Sequence, residues 1–190
     1  MKQVIIIHGL PDEEEFYGDV WPSPSNAHWI PWLQKQLNKK DMLSQALEMP
    51  KPYFPNYKDW ADVFSQMKIS NETILIGHSC GAGFLMKYLS EHSNVNPKQV
   101  VLIAPWMDAE NYLGEQGNNF FDFELDKNLG NKSEVHVFIS SDDEDSILDA
   151  VKKIRTEMPN VVYHEFTDKK HFTKNHLGIE EFPELLEVLI

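Results

Sequence analysis

Short, uninterrupted apolar runs that stop abruptly at turn residues constrain this chain more than any other feature. "VIII" ends at His8-Gly9, "ILI" at Gly77, "VVLI" at Ala104-Pro105 and "VFI" at Ser140-Ser141. Each is too short for a helix and rich in β-branched residues. Runs of this kind suit strands buried on both faces, as in a parallel sheet. "QALEMP" and "NVVYHEF" read as two further strands. Between them lie helical patterns. "AHWIPWLQKQLNKK" places Ile30, Leu33 and Leu37 on one face, and "NYKDWADVFSQMK" turns Trp60, Val63, Phe64 and Met67 inward. Phe84, Leu85, Tyr88 and Leu89 recur at helical spacing, "SILDAVKKIRTEM" follows the fifth run, and "IEEFPELLEVLI" closes the chain with Pro183 early in it. Strand and helix thus alternate six times. That predicts an α/β three-layer sandwich, a six-stranded parallel sheet covered by helices on both faces. Residues 11–26 read as a long loop and 106–131 as irregular. Without repeats, low-complexity tracts or a linker, residues 1–190 read as one domain. In such sheets function gathers at the carboxyl ends of the strands, here the loops that begin at His8, Gly77, Pro105, Asp142 and Thr167.

Charge narrows the partners. Asp and Glu number 30 against 17 Lys and Arg, a net charge of −13. Nucleic acid and anionic membrane both demand clustered cations, so neither is expected as a partner. No apolar run approaches the length of a membrane-spanning helix. Cys80 is the single cysteine, which rules out an intrachain disulfide. Together with the absence of a signal-peptide pattern it points to a reducing, cytoplasmic setting. No HExxH motif or cysteine cluster is present, so no metal site is expected.

The chemistry centres on "TILIGHSCGAGF", residues 73–84. A buried strand runs straight into a helix through Gly77-His78-Ser79-Cys80-Gly81, which matches G-x-S-x-G. A turn that sharp strains its central residue and requires small residues two places to either side. It leaves the Ser79 hydroxyl clear of the sheet and the Cys80 amide at a helix N-terminus, where negative charge is favoured. A serine hydroxyl needs a base, and the base needs an orienting acid. On this sheet the chain order is Ser, acid, His. The acids Asp142 to Asp145 follow the fifth strand, and His171 and His176 follow the sixth. His171 is the expected base with His176 behind it, and Asp143 the expected acid with Asp142 next. His78 is expected to pack under the turn and His8 to shape the turn after the first strand. His28, His92 and His136 read as packing or surface residues. The Cys80 N–H and the Leu10 N–H are the expected oxyanion donors. Trp21, Trp29, Trp106 and Phe172 are candidates to line a small apolar acyl pocket.

These stretches resemble the small α/β-hydrolase serine hydrolases of the YdeN and retinoblastoma-binding-protein-nine type. "VIIIHGL", "HWIPWLQKQL", "MPKP", "GHSCGA", "SSDD" and "DKKHF" carry the likeness through nearly the whole chain. The resemblance implies a compact α/β-hydrolase fold with strand order about 2-1-3-4-5-6 and no large cap. It implies hydrolysis of carboxyl esters, with the nucleophile on Ser79, the acid on Asp143 and the base on His171. Family members tend to carry glycine before the base, where this chain has Lys170. The acidic stretch 12–19 resembles an insertion, either a rim or partial lid over the oxyanion turn or a plain surface loop. The resulting expectation is a carboxylesterase of small acyl esters working through an acyl-enzyme, with no metal or organic cofactor. Its partner is a small-molecule ester, and the chain is a monomer or a small homo-oligomer. A thioesterase or amidase with the same residues, or a catalytically idle binding module using 106–131 as its surface, are the alternatives.

Overall fold

The computed structural model describes residues 2–108, 111–115 and 120–190. Its six strands are β1 (Gln3–Ile7), β2 (Leu43–Leu47), β3 (Thr73–His78), β4 (Gln99–Ile103), β5 (Glu134–Ser140) and β6 (Val161–Phe166). They form one parallel sheet in the order β2-β1-β3-β4-β5-β6. β3 and β4 are buried along their whole length, and β1 and β5 at all but their first residue. This is the environment their unbroken apolar runs require. The edge strands β2 and β6 carry the mixed residues and are partly exposed.

Among the described residues lie the helices α1 (Glu13–Tyr17), α2 (Ile30–Asn38), α3 (Tyr57–Phe64), α4 (Cys80–Glu91), α5 (Leu129–Lys132), α6 (Asp145–Glu157), α7 (Lys174–Leu177) and α8 (Pro183–Leu189). Right-handed crossovers decide which face each covers. The step from β1 to β2 runs opposite to the steps from β3 towards β6, so α2 lies on one face while α3 and α4 lie on the other. The packing follows. Trp60 and Phe64 of α3 meet Phe84 of α4 edge-on with ring centroids 5.5 Å apart in both cases. Trp29, just before α2, meets Phe182, just before α8, at 6.0 Å. Asn56 caps α3 by accepting from the Asp59 N–H at 3.2 Å, which satisfies one of the free amides of the first turn.

Register sets where the loops emerge. Ile7 lies beside Gly77, His78 beside Ile103, and Ser140 beside Phe166. The turns after β1, β3, β5 and β6 therefore open on one edge of the sheet. Two expectations need correction. Residues 11–26 are not all loop: they contain α1 and a 3₁₀ turn at Pro24–Asn26. The charged run Glu13-Glu14-Glu15 concealed a helix whose residues are all at least partly exposed, so no apolar stripe marked it. The stretch after β6 holds the short helix α7, capped by Thr173, whose side chain accepts from the His176 N–H. Part of the segment read as irregular, 109–110 and 116–119, lies outside the described residues. The rest of it includes α5.

Candidate active site

The turn between β3 and α4 is built as its sequence requires. Ser79 has φ 53° and ψ −119°, a left-handed conformation that costs a non-glycine residue about 1–3 kcal/mol and persists only where its surroundings enforce it. They do. Ser79 N–H donates to the Ile103 carbonyl at 2.9 Å, and its own carbonyl accepts from Ala82, Gly83 and Trp106 at 3.0, 3.2 and 3.2 Å. A Cβ on Gly77 would sit 2.6 Å from the Ala82 backbone, and one on Gly81 would sit 2.4 Å from the His8 carbonyl oxygen. Only hydrogen fits at either place.

Three side chains converge here from three loops. Ser79 Oγ is 2.8 Å from His171 Nε2. His171 Nδ1 lies 3.1 and 3.2 Å from the two carboxylate oxygens of Asp143. The Asp143 side chain is 1% exposed and that of His171 is 21% exposed, a buried carboxylate behind an imidazole that reaches solvent. Glu144 N–H also donates to Asp143 Oδ1 at 2.8 Å, which fixes the carboxylate. The neighbouring Asp142 does something else. It accepts from Ser140 Oγ at 2.5 Å and from the Lys170 N–H at 3.0 Å, and the Ser140 hydrogen bond holds its carboxyl below the usual carboxylate range. Asp142 ties the loop before His171 to β5.

The turn after β1 presses against the serine. A Cβ on Gly9 would lie 3.1 Å from Ser79 Cβ. His8 shapes this turn as expected: Nδ1 donates to the Gly9 carbonyl at 2.7 Å and Nε2 accepts the Met49 N–H at 3.0 Å. Burial lowers its pKa and keeps the ring neutral. Leu10 follows and lines the cavity at Ser79. Cys80 is fully buried, and desolvation followed by the charge of Asp108 raises its thiol pKa. This pocketed thiol is a packing residue, and its backbone N–H opens α4, where first-turn amides lack intrahelical acceptors.

A cavity of about 400 Å³ opens over Ser79 and His171, within the range of small-ligand sites. Its walls include Leu10, Phe16, Trp21, Trp32 and His28, with Glu15 and Glu180 among its acids. Trp21, a candidate for the acyl pocket, lines this cavity. Three other candidates do not. Trp29 and Phe172 are fully buried and outside the lining: Trp29 Nε1 donates to the Phe172 carbonyl at 3.1 Å, and Phe172 stacks on Phe182 at 5.4 Å. Trp106 packs its ring on Phe121 at 5.3 Å and reaches Ser79 only through its backbone. Their size suited a pocket and a core equally. α1 supplies Glu15 and Phe16 to the cavity wall, so the acidic stretch is a rim. It is held by the Tyr17 and Tyr53 hydroxyls, 2.8 Å apart, and by Phe16 packed on Tyr53 at 5.1 Å.

His28 was read as packing or surface and in fact lines the cavity. Desolvation, then the nearby His171 and His176, lower its pKa to about 4. Its place in "HWIPWL" gave the only signal, because helical periodicity says nothing of a residue just ahead of the helix. Among the described residues no group of three or more His, Cys, Asp or Glu is disposed to hold a metal ion, and no helix is long and apolar enough to cross a membrane.

A family model described as serine hydrolase matches residues 19–189. The chain belongs to the serine hydrolase family. The Bacillus subtilis protein YdeN is 25% identical over 195 aligned residues, covering 99% of this serine hydrolase and 94% of YdeN. The serine hydrolase RBBP9 of Rattus norvegicus is 24% identical, covering 85% of this chain and 84% of its own. The crystal structure of the YdeN gene product superposes with a TM-score of 0.80 at 23% identity, over 100% of this chain and 97% of that one. Est1E from Butyrivibrio proteoclasticus, solved with ferulic acid bound, gives 0.68 at 15% identity, over 100% and 86%. The likeness of sequence expected from the motifs is therefore present, and the solved structures share the α/β-hydrolase fold.

Proposed function

We propose that this serine hydrolase is a carboxylesterase of small acyl esters that works through a Ser79-His171-Asp143 triad. The observation that carries the reading is the unbroken chain from Ser79 Oγ to His171 Nε2 at 2.8 Å and from His171 Nδ1 to Asp143 at 3.1 Å. Ser79 Oγ attacks the ester carbonyl carbon while His171 Nε2 takes the hydroxyl proton. Asp143 keeps the Nδ1–H tautomer and steadies the imidazolium that forms. The oxyanion is received by the amides of Cys80 and Leu10, a contribution on the order of 10²–10³ in rate per donor. His171 then passes its proton to the departing alkoxide. Water, deprotonated by the same base, attacks the acyl-enzyme and frees Ser79. No step calls on a metal or organic cofactor. Trp21, with Phe16 and Trp32, receives the apolar part of the substrate. The acids at the cavity favour uncharged or cationic groups over anionic ones. The fold shared with the solved esterase EaEST from Exiguobacterium antarcticum supports ester chemistry at the level of the scaffold.

The test is active-site labelling. A fluorophosphonate should form one adduct, located on Ser79 by mass spectrometry, and the adduct should be absent from Ser79→Ala and nearly absent from His171→Ala. No adduct on the wild type between about pH 6 and 9 would overturn the reading. An oxygen ester, a thioester and an anilide of one acyl group then separate the esterase from a thioesterase or amidase: the oxygen ester should turn over fastest.

A further inference from the structure

The loop that carries His171 is strained on both sides of the base. Lys170 has φ 42° and Phe172 has φ 53°, and neither is glycine. Each left-handed residue costs roughly 1–2 kcal/mol, so the loop keeps this shape only if its surroundings over-determine it. What surrounds it is a set of aromatic ring nitrogens, each bonded to a main-chain atom of residues 171–174. His78 Nε2 donates to the His171 carbonyl at 2.8 Å. His176 Nδ1 accepts the His171 N–H at 3.3 Å. Trp29 Nε1 donates to the Phe172 carbonyl at 3.1 Å. His28 Nδ1 accepts the Lys174 N–H at 3.3 Å. Just upstream, Ser140 Oγ accepts from Lys169 at 3.0 Å and Asp142 from Lys170 at 3.0 Å.

We propose that His28, Trp29, His78 and His176 are positioning residues for the base: they fix the main chain at 171–174 and so hold His171 Nε2 against Ser79 Oγ. The inference rests on the triad reading above. It is specific about protons. A carbonyl only accepts, so His78 carries its proton on Nε2. An amide only donates, so Nδ1 of His28 and of His176 is bare, and a second proton on either ring destroys its bond. Burial and the proximity of His171 lower the pKa of His28, His78 and His176 alike, which keeps all three rings neutral. The charges that act on His176 are His171, Lys170, Asp143 and Asp142, and His28 interacts with it in turn. The anchors come from the end of β3, the approach to α2 and helix α7. His78 thereby ties the base loop to the strand that leads into Ser79.

His176 offers the cleanest test, because it lies away from the cavity lining. Asparagine places a non-titrating acceptor, Oδ1, where Nδ1 stands, whereas alanine removes it. His176→Ala should label with fluorophosphonate about ten- to a hundredfold more slowly and lose kcat to the same extent at unchanged KM, since small misplacements of a catalytic group cost this much. His176→Asn should recover most of the rate, and its acid limb in kcat should be shallower than that of the wild type. Wild-type labelling on Ser79 with His176→Ala equally fast overturns the positioning role alone. So does equal loss in the Ala and Asn variants when both melt at the wild-type temperature. A wild type that does not label overturns this inference and the functional reading together.

Discussion

At the scale of single residues, two adjacent aspartates share a strand end and divide its work. Asp143 faces His171 from a buried position, while Asp142 accepts from Ser140 and from the Lys170 amide. Asp143→Asn should leave the fold intact and lower kcat on the order of 10⁴-fold, because the wrong imidazole tautomer is then held. Asp142→Asn should cost far less in kcat. Steady-state kinetics on one chromogenic ester would separate them. Lys170, just before His171, holds φ 42°, a left-handed conformation that favours glycine. Lys170→Gly should raise stability by about 0.5–1 kcal/mol, the relief of a left-handed side chain less the added freedom of the unfolded glycine. Urea titration followed by tryptophan fluorescence would show it, and a loss of stability would mean that the Lys170 side chain contributes more than its backbone costs.

At the scale of elements, the β3–α4 turn and the rim helix α1 differ in what they tolerate. A methyl group on Gly81 meets the carbonyls of Ile7 and His8 at 2.5 and 2.4 Å. Gly81→Ala should therefore force β1 and α4 apart, costing about 1–3 kcal/mol or more and abolishing labelling of Ser79. Thermal melts and labelling on one preparation would check both. α1 has no buried residue and faces the cavity through Glu15 and Phe16. Phe16→Ala and Trp21→Ala should raise KM severalfold with kcat nearly unchanged, the mark of lost uniform binding. A fall in kcat at constant KM would instead place these rings at the reacting atoms.

At the scale of the whole molecule, neutral imidazoles link fold and acidity. His8, His28 and His78 all have pKa values lowered chiefly by burial. In the unfolded chain each titrates near 6.5, so acidification protonates the unfolded state first. Their stabilising contribution is complete above about pH 6.5 and is lost progressively as pH falls towards the folded values, about 4 for His28. The melting temperature should fall steadily from pH 7 to pH 4.5, and the triple variant with apolar replacements should flatten that slope if it folds. A melting temperature independent of pH over that range would contradict the assignment. The chain's own letters settled the sheet and its parallel strands, because burial on both faces restricts composition locally, and they offered Ser79, Asp143 and His171 in the order of the proposed triad. Local pattern ranked Asp143 ahead of Asp142 but could not move Trp29 and Phe172 from the cavity into the core or find α1 in an acidic run. Those outcomes depend on groups that meet from separate parts of the chain, as when the Tyr17 hydroxyl reaches Tyr53 and the Trp29 indole reaches the Phe172 carbonyl. Such contacts exist only once crossovers and register have brought distant loops to one edge of the sheet, which no local periodicity encodes.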